Sequence, residues 1–455
     1  MADQLLFRST NGQVSGYTLG QALLTGLAPD RGLFMPVGVP SLDRAALTEL
    51  VGKPYLEVAH AVLSRYTAGQ FDDDVMRELC EDAYDYDVPI EPVHSRRHIL
   101  RLDRGPTASF KDFAARMMGR WIGRLVSPGE PPLVILTATS GDTGSAVAHA
   151  FAGVPGTHVM VLFPTDEVSD RQRKQMTTIG GNVSTLAVDG KFDDCQAMVK
   201  RAFSDPELDA IRFTSANSIN IGRLLPQSVY YVYAYLQLAD VAAGERVIFS
   251  VPSGNFGDLC GGLLAHQAGL PVERFVVATN ANDEVPIFFD THRYDKIVPS
   301  KTCISNAMNV GHPSNLARLV DLYGGRMDEA GILHELPDME RIKADMWAVS
   351  VGDDETRRCI SETWNDHQVM LEPHGAVGWA ALERYFAEGG VAADTLAIAL
   401  ETAHPAKFPD EVRAATGVDP EVPLALSSVE ALPESFGEID VDYAGFRDLL
   451  RRQYS

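Results

Sequence analysis

One lysine in this chain stands where a nucleophile could form: Lys111, in the stretch Gly105-Pro106-Thr107-Ala108-Ser109-Phe110-Lys111-Asp112. Beyond it Phe113, Met117, Met118, Trp121, Ile122 and Leu125 keep helical spacing, and Gly105 with Pro106 marks a turn ahead of them. The spacing predicts Lys111 at the N-terminal end of a helix, where the macrodipole disfavours an ammonium and partial burial acts the same way. A lysine that is neutral part of the time can form a Schiff base with a carbonyl. An exposed lysine with its stem over apolar surface would share this local sequence, so the lysine alone decides nothing.

Two glycine turns further along change the balance. Ser140-Gly141-Asp142-Thr143-Gly144 follows the apolar run from Leu133 to Leu136, and Ser253-Gly254-Asn255-Phe256-Gly257-Asp258 follows Val247 to Val251. Each leads into a stretch rich in Ala or Leu. Strand, glycine turn and helix N-terminus together offer backbone N–H groups to an anion. Neither turn fits the dinucleotide fingerprint or the Walker A pattern, and no Gly-Lys-Ser/Thr occurs. A reactive lysine beside a phosphate cradle suggests pyridoxal phosphate, whose aldehyde needs the first and whose phosphate needs the second.

The lysine turn, SGDTGSA from Ser140 and SGNFGD from Ser253 resemble the threonine synthase family of fold-type II pyridoxal phosphate enzymes. Two further stretches resemble it too: LGQALLTGLAPDRGLFMP from Leu19 to Pro36, and ETAHPAKF from Glu401 to Phe408. The likeness is to the longer branch, which has an extended N-terminal domain. It implies a fold of two open parallel-sheet α/β lobes, like the tryptophan synthase β chain, with an extra, mostly helical N-terminal domain. It also implies conversion of O-phospho-L-homoserine and water to L-threonine and phosphate. A related fold-type II lyase acting on another phosphorylated or hydroxylated amino acid is the alternative.

Roles for single residues come from the same resemblance. Lys111 would hold the cofactor and then carry protons. Gly254, Asn255, Phe256, Gly257 and Asp258 would cradle the cofactor phosphate, with Asp258 capping the helix because its charge has the wrong sign for an anion. Thr402 would face the pyridine nitrogen; its other role would be an N-cap before Pro405. Ser140, Gly141 and Thr143 would take the substrate carboxylate. Asp142 would lie beside the cofactor's phenolic oxygen, where relatives often carry Asn. Asn217, Ser218, Asn220 and Arg223 would line the substrate, with Arg223 gripping its phosphate bidentately; Lys174 is a weaker second that reads first as a surface charge. His374 and His404 read as structural, and the twelve histidines contain no metal-ligand spacing.

Composition sets the outer limits. The 455 residues are 45% hydrophobic and 22% charged, as in a soluble protein with a sizeable core. A formal charge of −23 argues against nucleic acid or anionic membrane as partner, and asks for a local basic pocket if the substrate is an anion. No leader or membrane-length apolar run is evident, and the five scattered cysteines suit a reduced cytoplasmic protein. A monomer or a homodimer would be compatible with this pattern.

These motifs need elements to hold them. Strands are expected at 99–102, 133–139, 158–163, 183–188, 247–251, 274–279 and 395–400, with helices between most of them. That alternation favours right-handed βαβ units and parallel sheets with ligands at the strand C-termini. The expected division is an N-terminal domain over 1–95, a catalytic region over 96–420 whose smaller lobe spans about 105–225, and a loop-like tail over 421–455 ending in a short helix. The acidic stretch Asp72 to Tyr86 reads as a solvated helix face.

Overall fold

Strands that run into the two glycine turns are apolar on both faces, which suits sheets covered by helices on each side. Leu133–Ala138 and Val247–Pro252 are buried at every position. In the computed structural model, which describes residues 4–127, 129–388 and 390–454, they lie in separate sheets. The larger sheet has the order Met346–Ser350, Val272–Thr279, Val247–Pro252, Ala397–Glu401, Arg97–Arg101, Ile90–His94. All its pairings are parallel except the last, an antiparallel hairpin. The smaller sheet, entirely parallel, runs Gly437–Asp440, Val183–Asp189, Thr157–Pro164, Leu133–Ala138, Arg212–Thr214.

Chain order explains where the turns fall. Val247–Pro252 is flanked by the next strand in sequence on one side and by Ala397–Glu401 on the other; Leu133–Ala138 is likewise flanked by Thr157–Pro164 and Arg212–Thr214. Each is a point where the winding of its sheet reverses, and a crevice opens there beyond the strand C-terminus. Both glycine turns sit in such a crevice.

Three regions differ from expectation. The N-terminal part is mostly helical, with helices Leu19–Thr25, Arg44–Leu50, Tyr55–Tyr66 and Asp73–Ala83, but it also contains an antiparallel sheet of Leu6–Ser9, Ser15–Thr18 and Phe34–Pro36. Strands of three or four residues are too short to display a period of two. Ile90–His94 already belongs to the larger sheet, ahead of the seam expected at 95. The tail is not merely loop-like: Gly437–Asp440 pairs with Val183–Asp189, and helix Tyr443–Tyr454 buries Phe446 and Leu450 in the core of the smaller lobe.

The N-terminal helices brace the lysine helix, Lys111–Leu125. Tyr55 meets Phe113 and Tyr233 edge-on, with ring centroids 5.3 and 5.2 Å away, and Tyr84 donates to Phe113 O at 3.1 Å. The acidic face of Asp73–Ala83 is not simply solvated. Arg116, Arg120 and Arg124, one turn apart along the lysine helix, pair with Asp85, Asp82 and Glu78. The acidic partner is solvent-exposed in every pair, so each contributes only about 0–1 kcal/mol and aligns the helices more than it stabilises them. Among the described residues no helix is long and apolar enough to cross a membrane.

Candidate active site

Lys111 is the first residue of its helix, as its spacing predicts. Its turn is clamped from both ends. Ser109 bridges Ala403, Phe110 N donates to Thr402 O at 2.9 Å, and His404 N donates to Ala108 O at 3.0 Å. Asp112 closes the turn internally, accepting from Thr107 N at 2.8 Å and Thr107 Oγ1 at 2.6 Å. Any side chain at Gly105 would strike that carboxylate, its Cβ falling 2.4 Å from Oδ2. One side of Lys111 faces a cavity of about 1510 Å³ between the two sheets. Burial lowers its ammonium to about 8; Asp142 opposes this, while Arg223 and Lys407 reinforce it. The neutral amine is therefore accessible near neutral pH.

Across the same cavity lies the turn Ser253 to Gly257 and the helix Gly257–Ala268. Phe256 takes a left-handed conformation, φ 61°, and no side chain caps the helix. Its first N–H groups thus lack a side-chain acceptor at an end whose dipole attracts negative charge. This is a fit for the phosphate of the expected cofactor, with Lys111 available for its aldehyde. Asn255 braces the turn instead of reaching inward: Nδ2 donates to Ser218 Oγ at 2.6 Å, and Oδ1 accepts from Ser314 N at 2.6 Å. A Cβ at Gly254 would lie 2.7 Å from Met308 Cα and 3.0 Å from Ala307 O, both backbone atoms that cannot rotate aside. Gly254→Ala should therefore displace the turn and weaken pyridoxal phosphate binding at least tenfold, about 1.4 kcal/mol, in an absorbance titration. Unchanged affinity would show that the phosphate sits elsewhere.

Asp142 opens helix Asp142–Phe151 and lines the cavity. A bare carboxylate there would repel a phenolate, but it is not bare. Lys407 Nζ lies 2.6 Å from Oδ1, and Gln172 Nε2 donates to the same oxygen at 2.9 Å. Burial alone would raise this carboxyl; Lys407 and then Lys111 override it and hold it well below the usual range. Lys407, inside ETAHPAKF, is a partner of Asp142 that sequence reasoning missed.

Arg223 is 2% exposed and lines the cavity. Its Nη1 donates to Ala216 O at 2.5 Å, and its Nε has no partner among the described residues. Burial lowers the guanidinium to about 10, with Asp112 opposing, so it remains a cation at neutral pH. Ser140 and Thr143 also line the cavity, as do Asn217 and Ser218. The last two serve the walls: Asn217 Nδ2 donates to Ala138 O, and Ser218 Oγ accepts from both Asn255 and Asn315. Behind them Arg318, fully buried, donates to Ser218 O, Ile219 O and Phe34 O, tying this loop to the N-terminal sheet.

Three expectations need correction. Asn220 does not line the cavity: its Nδ2 donates to Leu23 O and Ser215 O while Oδ1 accepts from Gly222 N, so the side chain is consumed in holding its loop. Gly141 stands behind the cavity wall, packed so closely on Gln172 that a Cβ would come within 2.5 Å. Asp258 does not cap its helix; its Oδ1 accepts from the hydroxyls of Tyr230 and Tyr231, both at 2.6 Å, and burial raises its carboxyl to about 6. Lys174, in keeping with its reading as a surface charge, donates to Glu430 O. Thr402 lines the cavity and leaves the capping of Pro405–Lys407 to His404. Thr402 Oγ1 lies 3.5 Å from Glu372 Oε1, and Glu372 caps the helix Pro373–Ala387 and contacts His374 Nδ1 at 2.5 Å. Among the described residues no cluster could hold a metal ion.

Two open sheets with a lysine and a phosphate cradle facing each other across one cleft define a pyridoxal phosphate enzyme. The family model for pyridoxal-phosphate dependent enzymes matches residues 97–401, and those described as threonine synthase N terminus and threonine synthase, C-terminal match 6–84 and 375–449. The chain is 39% identical to threonine synthase of Serratia marcescens over 437 residues, covering 94% of this chain and 96% of that protein. The crystal structure of threonine synthase from Escherichia coli shares its fold with a TM-score of 0.87 at 35% identity, over 98% of this chain and 99% of that one. The X-ray structure of PLP-bound threonine synthase from Brucella melitensis gives 0.90 at 32% identity, over 99% of each. The chain belongs to the threonine synthase family.

Proposed function

We propose that this enzyme converts O-phospho-L-homoserine and water to L-threonine and phosphate, with Lys111 as the point of cofactor attachment. Pyridoxal phosphate, when bound, supplies the electron sink that lets protons leave the substrate's α and β carbons. The remaining work falls to the chain. The N–H groups of Gly254, Asn255, Phe256, Gly257 and Asp258 hold the cofactor phosphate, and Thr402 meets the ring nitrogen. The hydroxyls of Ser140 and Thr143 take the substrate carboxylate, fixing which carbon faces Lys111. Lys111 Nζ removes and returns protons on that face, a role that suits an amine lowered to about 8. Arg223 binds the substrate phosphate and neutralises it as it departs. The cleft is wide enough for water, so its late entry calls for closure of the lobes over the substrate.

The observation that carries this reading is Arg223, a buried cation that lines the same cavity as Lys111 and whose Nε has no partner among the described residues. The test is incubation of the purified protein with O-phospho-L-homoserine and pyridoxal phosphate, with free phosphate and threonine both measured. Equal amounts of the two are expected. Phosphate without threonine would favour a related lyase that eliminates only, and release of neither would sink the proposal.

A further inference from the structure

Lys407 has no role in the reaction as described, yet it is 2% exposed. It ends the turn Pro405–Lys407, just beyond Thr402. Its ammonium lies 2.6 Å from Asp142 Oδ1 and donates to Thr107 O at 2.9 Å. One cation thus joins the closing motif, the lysine turn and the first residue of a helix in the smaller lobe. That lobe holds the pair from its own side as well: Arg171 donates to Ala406 O, and Gln172 donates to Asp142. A buried ion pair is weak evidence for stability, because desolvation offsets the attraction. A pair built beside the reacting lysine calls for another reason.

We infer that Lys407 is a positioning residue for the reaction: paired with Asp142, it cancels that carboxylate's charge next to the cofactor's phenolic oxygen. Two charged groups together then do what a single neutral amide would do. The inference rests on the proposed reading that Lys111 carries the cofactor and Asp142 faces its phenolic oxygen. The charges around the pair leave the task to Lys407. Lys111 and Arg223 face it from the cavity, but Lys111 is consumed in the proposed linkage and Arg223 donates to Ala216 O. Asp112 is occupied by Thr107. Behind the closing motif His404 is lowered to about 4, mainly by burial, and so is neutral, while Arg101 is paired with Asp103 at 2.5 Å.

The test is a pH titration of the visible absorption of the holoenzyme, which reports the proton on the nitrogen linking Lys111 to the cofactor. Lys407→Met leaves Asp142 uncompensated, favours the protonated nitrogen, and should raise the midpoint by roughly one unit, the size expected for a charge 4–6 Å away. Asp142→Asn leaves Lys407 uncompensated and should lower it by a similar amount. The double variant should return close to the parent, and Lys407→Arg should resemble it. Cofactor affinity supplies a second readout: Lys407→Met should lose at least tenfold, and adding Asp142→Asn should recover most of that. If Lys407→Met does not fold, the fall in the Asp142→Asn midpoint carries the test alone, since that exchange is isosteric. A visible band present in all variants with one common midpoint would overturn the inference, as would affinity that the second substitution fails to rescue. A parent protein with no visible band would instead overturn the cofactor reading beneath it.

Discussion

Lys111→Ala should reduce turnover of O-phospho-L-homoserine on the order of 10³-fold or more, because one amine supplies both the covalent anchor and the general base. The variant should still take up pyridoxal phosphate through the turn at Gly254 to Asp258, since that cradle is built on another strand, Val247–Pro252, and on its own helix, Gly257–Ala268. Borohydride should then no longer fix the cofactor to the protein. In the parent, borohydride should bleach the visible band and leave the cofactor's mass on the peptide containing Lys111. The rival acceptor is Lys407, the other buried lysine nearby, but its ammonium is held by Asp142 and Thr107 O. Label on the Lys407 peptide would refute the assignment. The pH dependence has a definite sign. Burial lowers Lys111 to about 8, so the fraction of neutral amine grows as pH rises through that value. Capture of pyridoxal phosphate by the apoenzyme should therefore accelerate between about pH 7 and 9 and then level off.

Lys111 and the two glycine turns were legible because each is a local signal: spacing that starts a helix, or an apolar strand that breaks at glycines. The parallel sheets followed from the alternation of such strands with helices. What stayed hidden depends on contacts between distant segments. Lys407 and Asp142 look unremarkable apart, and only the fold brings them to 2.6 Å. Arg318 carries no local signal, and only the fold shows it buried, donating to three backbone carbonyls. Asn220 illustrates the opposite error. The motif around it belongs to the site, but its own side chain points back to Leu23 O and Ser215 O. Resemblance transfers the segment; the direction of each side chain has to come from packing. Gly437–Asp440 was missed for a simpler reason, since four half-exposed or exposed residues in an acidic tail have no period to detect.

Arg223→Ala should leave the cofactor bound and its visible band intact, while kcat/KM for O-phospho-L-homoserine falls. A hydrogen bond to a charged group contributes about 1.5–3 kcal/mol in ordinary binding. Because charge grows on the departing phosphate, the loss should be at least that, roughly a hundredfold. Arg223→Lys should recover only part, since a point charge cannot reproduce the guanidinium fork. The structure supplies a competing explanation that the experiment has to separate. Nη1 also holds Ala216 O at 2.5 Å, so the alanine variant could fail by releasing the loop that carries Asn217 and Ser218. That loop braces the phosphate turn through Asn255, and its release would weaken pyridoxal phosphate itself. An unchanged cofactor affinity excludes it. A second control uses the neighbouring lysine. Arg223 is one of the cations that lower Lys111, so its removal should move the midpoint of cofactor capture above about 8, whereas a loosened loop has no reason to. Slow side reactions on L-serine or L-threonine, which lack a phosphate, should be nearly unaffected. Equal losses on phosphorylated and unphosphorylated substrates would show that Arg223 supports the carboxylate loop, and would remove the residue on which phosphate recognition depends.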